Sequence, residues 1–197
     1  DCNGVCNLEL SFQVSEYECG FNTSCYGSCD GFIDLTISGG TTPYSYIWTG
    51  PDGVIFSNTE DLMGLCEGTY SVTVTDDNGN FITQTINLNG MELLSVSASI
   101  SEYECGYGSF PQGASNGEIS LEVSGGCPPY NFYWYGPNEF TSTDQNINNL
   151  SAGIYQVEVV ASSGCTESLQ IEITEPVDNP PSNCLYGCTD PNADNYN

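Results

Sequence analysis

Gly31-Phe32-Ile33-Asp34-Leu35-Thr36-Ile37-Ser38-Gly39-Gly40, followed by Pro43-Tyr44-Ser45-Tyr46-Ile47-Trp48, decides the fold. Ile33, Leu35 and Ile37 sit at every second position, and so do Tyr44, Tyr46 and Trp48. Such alternation, rich in β-branched and aromatic residues, marks half-buried strands, and the Gly-Gly and Pro between the runs mark a turn. The stretch returns 86 residues later, as Gly117-Glu118-Ile119-Ser120-Leu121-Glu122-Val123-Ser124-Gly125-Gly126 with Pro129-Tyr130-Asn131-Phe132-Tyr133-Trp134. Upstream, Ser15-Glu16-Tyr17-Glu18-Cys19-Gly20 returns as Ser101-Glu102-Tyr103-Glu104-Cys105-Gly106 at the same offset. Downstream the offset slips to 85, where Gly68-Thr69-Tyr70 matches Gly153-Ile154-Tyr155. A repeat this long is a whole small domain rather than a turn of a solenoid.

The repeat divides the chain. Residues 1–7 are a Cys-containing lead-in, 8–90 the first copy, 91–176 the second, and 177–197 a linker with a Cys/Asp/Asn-rich tail. Each copy holds six or seven short strands, named A, B, C, E, F and G, with room for an edge strand between C and E. The expected fold is all-β: two tandem immunoglobulin-like β-sandwich domains, fastened by disulfides. Trp48 and Trp134 fall on the third strand, where such a sandwich buries a tryptophan. Tyr70 and Tyr155 open strand F, where a tyrosine corner sits. The plainer reading of all four is ordinary aromatic core, and it leaves the sandwich unchanged.

The chain has 26 acidic residues and no Lys, Arg or His. No side-chain salt bridge can form, no lysine is present for a Schiff base or isopeptide link, and a trypsin-like protease has no site. Nucleic acid and anionic membrane surfaces are excluded as ordinary partners, because Lys and Arg dominate phosphate binding. Self-repulsion opposes compaction and association. This composition suits a chain working in salty or calcium-containing water, or a polymer that must resist proteolysis outside a cell. Without any base the chain contains no signal-peptide n-region, so it reads as a mature piece of something longer. No apolar run approaches membrane-spanning length.

The pattern Gly-x-Ile-x-Leu-x-(Ile/Val)-Ser-Gly-Gly, then Pro-Tyr-x-(Tyr/Phe)-x-Trp, then Gly-(Thr/Ile)-Tyr-x-Val-x-Val resembles the SprB-type repeat of large cell-surface adhesins of gliding bacteria. The resemblance runs over about 30–88 and 116–174. It implies a tandem extracellular filament on the cell surface, a link to gliding motility, and no catalytic residues. The first copy departs from the family's Asp-x-x-Gly-Cys ending, with Asn80 where the second has Cys165. Tyr186-Gly187-Cys188-Thr189-Asp190-Pro191-Asn192-Ala193-Asp194-Asn195-Tyr196 is similar to a short motif of secreted microbial and algal proteins.

Eleven cysteines with no histidine imply disulfides and an oxidising compartment, and the odd count leaves at least one unpaired within the chain. Cys127 and Cys165 are additions of the second copy, standing where the first has Thr41 and Asn80. In an immunoglobulin-like sandwich they share the end carrying the B–C and F–G turns, and a Cys127–Cys165 bond is expected. Cys19, Cys25, Cys29 and Cys66 share the other end of the first copy and allow two pairs in three arrangements. The favoured one bonds Cys66 back to the A–B loop. Cys105 is expected to pair with Cys184 or Cys188, and Cys2 and Cys6 are candidates for links between modules. A domain of about 85 residues buries a small core, so such staples matter.

Asp190-x-Asn192-x-Asp194 spaces three oxygen ligands as at the start of many calcium loops, making Ca2+ the one candidate cofactor. The sixth-position glycine and closing glutamate are missing, so a polar turn is the plainer reading. Asp76-Asp77-Asn78-Gly79 reads as a hairpin turn. Asn22-Thr23-Ser24 and Asn149-Leu150-Ser151 match the N-glycosylation triplet. No histidine general base, lysine, arginine clamp or Ser/His/Asp set is present, so the chain reads as a non-enzyme. Tyr133 and Tyr135 alternate with Phe132 and Trp134, so the second strand C can turn aromatic surface outward. The first functional expectation is a structural or adhesive segment of an extracellular filament, with copies of itself or tandem modules as partners. The alternative is a carbohydrate-binding accessory module of a secreted enzyme, with surface glycans as ligand.

Overall fold

The structure is a computed structural model and describes residues 7–102 and 113–176. The first copy supplies β1 (Glu9–Val14), β2 (Gly31–Ser38), β3 (Ser45–Thr49), β4 (Ile55–Ser57), β5 (Leu62–Leu65), β6 (Gly68–Thr75) and β7 (Phe81–Leu88). The second supplies β8 (Ser95–Ile100), β9 (Ser115–Ser124), β10 (Tyr130–Gly136), β11 (Phe140–Ser142), β12 (Ile147–Ser151), β13 (Gly153–Ala161) and β14 (Thr166–Ile173). In the first, a three-stranded sheet β1-β2-β5 faces a four-stranded sheet β4-β3-β6-β7; in the second, β12-β9-β8 faces β11-β10-β13-β14. Every pairing is antiparallel. In immunoglobulin lettering this is A-B-E against C′-C-F-G, with the expected edge strand present as β4 and β11.

The two cores correspond residue by residue. Ile33, Leu35, Trp48, Leu62, Leu65, Tyr70, Val72, Val74, Ile86 and Leu88 form the first. Ile119, Leu121, Trp134, Ile147, Leu150, Tyr155, Val157, Val159, Ile171 and Ile173 take the same places in the second, with Phe132 replacing the half-buried Tyr46. Both tryptophans are buried, and each indole N–H finds a carbonyl: Trp48 donates to Thr59 and Trp134 to Asp144, both at 2.9 Å. The Tyr70 hydroxyl donates to the Cys66 carbonyl at 2.9 Å, and that of Tyr155 to the Ser151 carbonyl at 3.0 Å. Each is a tyrosine corner, four residues back along the chain. The glycine two residues before it is obligatory. Gly68 and Gly153 have φ of 144° and 145°, and a Cβ at either would run into the ring of Pro51 or Pro137. This couples the Gly-Pro after strand C to the Gly-x-Tyr opening strand F. Strand A is only partly buried, with Phe12 40% exposed, because β1 is an edge strand.

The compact units depart from the repeat boundaries at residues 91–93 and at two short turns of the second copy. Among the described residues, one unit groups 7–93 with Gly125–Pro128 and Ser162–Cys165; the other groups 94–102, 113–124, Pro129–Ala161 and 166–176. The two short segments moved to the first unit are the B–C and F–G turns of the second copy, which the repeat boundaries place at 91–176.

Candidate functional site: the cysteine-bearing turns and the aromatic strand face

The loop after β1 is held by one buried asparagine. Asn22, 7% exposed, donates from Nδ2 to the Ser15 carbonyl at 2.6 Å, and its Oδ1 accepts the Asn89 N–H at 2.8 Å. Its own N–H reaches the Asn89 carbonyl at 2.8 Å, and the Ser15 hydroxyl donates to the Asn22 carbonyl at 2.6 Å. With both ends of its amide engaged, Asn22 in the folded chain is an anchor rather than a glycan acceptor. Asn149, heading the other triplet, is exposed. Asp30 closes the loop by accepting the Ser24 N–H at 3.0 Å. Desolvation raises its carboxyl pKa, but hydrogen bonds from Ser24, its own backbone and Tyr17 outweigh that and leave it below the usual value. The Tyr17 phenol is raised by desolvation and by Asp30.

This anchored loop presents three cysteines, and each is bonded. Cys29 pairs with Cys66 inside the first copy. Cys19 pairs with Cys127, and Cys25 with Cys165, at Cα separations of 6.1 and 5.8 Å. The expected Cys127–Cys165 bond is therefore corrected, and so is the expectation that Cys19, Cys25, Cys29 and Cys66 form two pairs among themselves, of which only Cys29–Cys66 is made. The physical reason is connectivity. β7 ends at Leu88 opposite Gly68, beside Cys66, and β8 begins at Ser95 opposite Ser124, just before Cys127. Residues 89–94 thus join the Cys66 end of one copy to the Cys127 end of the next. Gly126 donates to the Glu92 carbonyl at 3.0 Å, and the sulfur of buried Met91 lies 3.8 Å from Cys165 Sγ. Reasoning copy by copy missed these pairs. Counting gave no signal, because the four cysteines at that end of the first copy can equally close in two pairs among themselves.

The matching end of the first copy is fastened by hydrogen bonds. Asp76, 5% exposed, accepts the N–H groups of Thr41, Asn78 and Asn80 at 3.1, 3.1 and 2.8 Å, and the Asn80 amide at 3.1 Å. Asn78 Nδ2 donates to the Thr41 hydroxyl at 2.8 Å. Hydrogen bonding from the Asn80 side chain, opposed by burial and aided by the three backbone N–H groups, holds the Asp76 carboxyl below its ordinary pKa. In the second copy Asp76 becomes Ala161, Thr41 becomes Cys127 and Asn80 becomes Cys165. One backbone bond survives the exchange: Asp77 N–H to Thr41 O in the first, Ser162 N–H to Cys127 O in the second, both 2.9 Å.

The outward face of the four-stranded sheet also differs. In the first copy β3, β4, β6 and β7 contain no charged residue. Thr73 and Thr83 hydrogen-bond each other at 2.9 Å, and Thr69 meets Asn87 at 3.0 Å. Inward-leaning Tyr46 has its phenol pushed up to about 12 by desolvation and by Glu60. In the second copy the same face carries Tyr133 and Tyr135, 42% and 56% exposed.

Asp190, Asn192 and Asp194, and with them Cys2, Cys6, Cys105, Cys184 and Cys188, lie outside the described residues. Among the described residues, no three of His, Cys, Asp and Glu gather to hold a metal, and no helix is long and apolar enough to cross a membrane.

The chain matches the SprB repeat twice. The matches cover residues 22–53 and 112–139 and fall on corresponding parts of the two copies. No curated protein matches. Among solved structures, the amphioxus IgVJ-C2 molecule is 14% identical, with 84% of this chain and 96% of that chain covered, at a TM-score of 0.33. The two-domain DIP-gamma IG1+IG2 structure is 10% identical over 86% and 98%, at 0.42. The C-terminal 282-residue fragment of intimin, solved with the intimin-binding domain of its translocated receptor, is 13% identical over 86% and 64%, at 0.41. Scores this low carry no weight, and the immunoglobulin-like architecture stands on strand order and register.

Proposed function

We propose that this chain is a structural and adhesive segment of an extracellular cell-surface filament built of tandem disulfide-fastened sandwiches. The observation that carries the reading is where the cysteines go. Two of the three disulfides among the described residues, spanning 108 and 140 residues, tie the A–B loop of one copy to the turns of the next instead of closing within one copy. A binding domain duplicated for avidity has no use for such bolts, whereas a chain under tension does. Disulfides form and persist mainly in oxidising surroundings, which supports a secreted or surface location, as does the match to the SprB repeat. The absence of every base supports resistance to trypsin-like proteases and repulsion between beads. Links through Cys2, Cys6 and the tail cysteines, calcium at Asp190, Asn192 and Asp194, and a role in gliding motility belong to this proposal. Electron microscopy of native material is the test. A regular polymer with this chain in its repeating unit supports it; isolated particles under oxidising conditions overturn it.

A further inference from the structure

The outward face of β10 and β13 carries side chains that the filament reading leaves unused. Residues two apart on a strand share a face and stand about 7 Å apart, so Tyr133 and Tyr135 form one aromatic row. The register supplies their neighbours. Tyr133 lies opposite Glu158, which lies opposite Ser168; Tyr135 lies opposite Gln156, which lies opposite Gln170. Directly opposed side chains stand roughly 5 Å apart. Two exposed rings are thus flanked by two amides, a hydroxyl and one carboxylate. On the other side Thr141 is opposite Tyr135, and Thr141, Ser142 and Thr143 wall a shallow groove of about 370 Å³ over the rings.

We propose that this face binds a neutral glycan, with pyranose rings laid on Tyr133 and Tyr135. The C–H face of a sugar ring is apolar and packs on an aromatic ring, while its rim of hydroxyls needs donors and acceptors in the same plane. Gln156 and Gln170 each offer both, and Glu158 accepts. Aromatic and apolar lining with a few placed polar groups is the usual make-up of a small-ligand site. Charge selects the class of sugar. The chain has no cation anywhere, a formal charge of −26, and a carboxylate in the patch, so uronic, sulfated and sialylated sugars are repelled. The first copy provides an internal control. It has Ile47 and Thr49 at these positions, and Thr73 and Thr83 on the same face hydrogen-bond each other. Among the described residues the face therefore occurs once, in the second copy.

This rests on the adhesive half of the function proposed above and names what the segment would hold. The test is calorimetric titration of the full chain with cellohexaose and chitohexaose, with polygalacturonate and oligolysine as acidic and cationic controls. Saturable 1:1 binding of a neutral oligosaccharide is expected, with a loss of about tenfold or more in each of Tyr133→Ala and Tyr135→Ala and none in Ile47→Ala. Unchanged thermal unfolding shows that these surface variants still fold. Failure of both neutral sugars to bind overturns the proposal, and so does equal binding by a Tyr133→Ala/Tyr135→Ala double variant. Oligolysine binding that Glu158→Gln abolishes, without sugar binding, assigns the face to a cationic peptide instead. Filaments without sugar binding would leave the segment structural; sugar binding without filaments would leave the site standing alone.

Discussion

The two copies share a core and differ at one end. In the first, Asp76 gathers Thr41, Asn78 and Asn80 by hydrogen bonds. In the second, Ala161 stands in for the aspartate, and Cys127 and Cys165 bond to Cys19 and Cys25. The B–C turn carries the chain from one sheet to the other and the F–G turn is a hairpin within the four-stranded sheet, so holding the two together closes this end of the sandwich. The polar cluster does so locally. The cysteines do so by borrowing the loop of the preceding copy, and the borrowed loop makes the pair directional.

The largest effect that can break this comparison comes from the bolts. A Cys19→Ala/Cys25→Ala variant loses both, and a disulfide typically contributes about 2–4 kcal/mol. The expected result is roughly 4–8 kcal/mol of lost stability, read by thermal unfolding against the oxidised parent. The Cys29–Cys66 bond should survive in peptide maps. If unfolding barely changes, the bolts are incidental and the polar end of the first copy is no weaker than the bolted end of the second.

A smaller effect tests the part held in common. Tyr70→Phe and Tyr155→Phe each remove one hydroxyl from a part-buried carbonyl, of Cys66 and Ser151 respectively. Each should cost about 1 kcal/mol, and the two should agree. Unequal losses in urea titrations would mean that the shared core is less shared than its residues suggest.

Most of the fold was legible because its signals are local. Alternation over Ile33, Leu35 and Ile37 and over Ile119, Leu121 and Val123 gave strands, and the repeat confirmed each against its twin. Trp48, Trp134, Tyr70 and Tyr155 landed where a sandwich needs them. The cysteine pairing was not legible in the same way. Cys127 and Cys165 do lie at one end of their copy, but which sulfur each meets depends on residues 89–94 joining the ends of neighbouring copies. That is a property of the connection rather than of either repeat. Asp76-Asp77-Asn78-Gly79 reads as a bare hairpin turn, since nothing in it reveals that Thr41, 35 residues away, completes the Asp76 cluster. Exposed Tyr133 and Tyr135 were visible in the alternation, whereas their neighbours Gln156 and Glu158 needed the register.

The smallest effect is also the most selective, because it depends on pH. The Asp76 carboxyl is held below its ordinary value chiefly by the Asn80 side chain. An unfolded aspartate titrates near pH 3.9. A carboxyl whose folded pKa is depressed binds fewer protons when folded, so its contribution is fully present above about pH 4. It is lost as pH falls through the lower folded value. Asp76→Ala is a fair comparison, since Ala161 occupies the same backbone position in the second copy. The unfolding temperatures of parent and variant should differ most above about pH 4, and the gap should close on further acidification. Other carboxyls titrate in both proteins and cancel in the difference. A gap independent of pH would show that Asp76 acts by shape alone. A gap that closes would show that acid loosens the hydrogen-bonded end of the first copy while the disulfide-bonded end of the second, which has no proton to gain, stays shut.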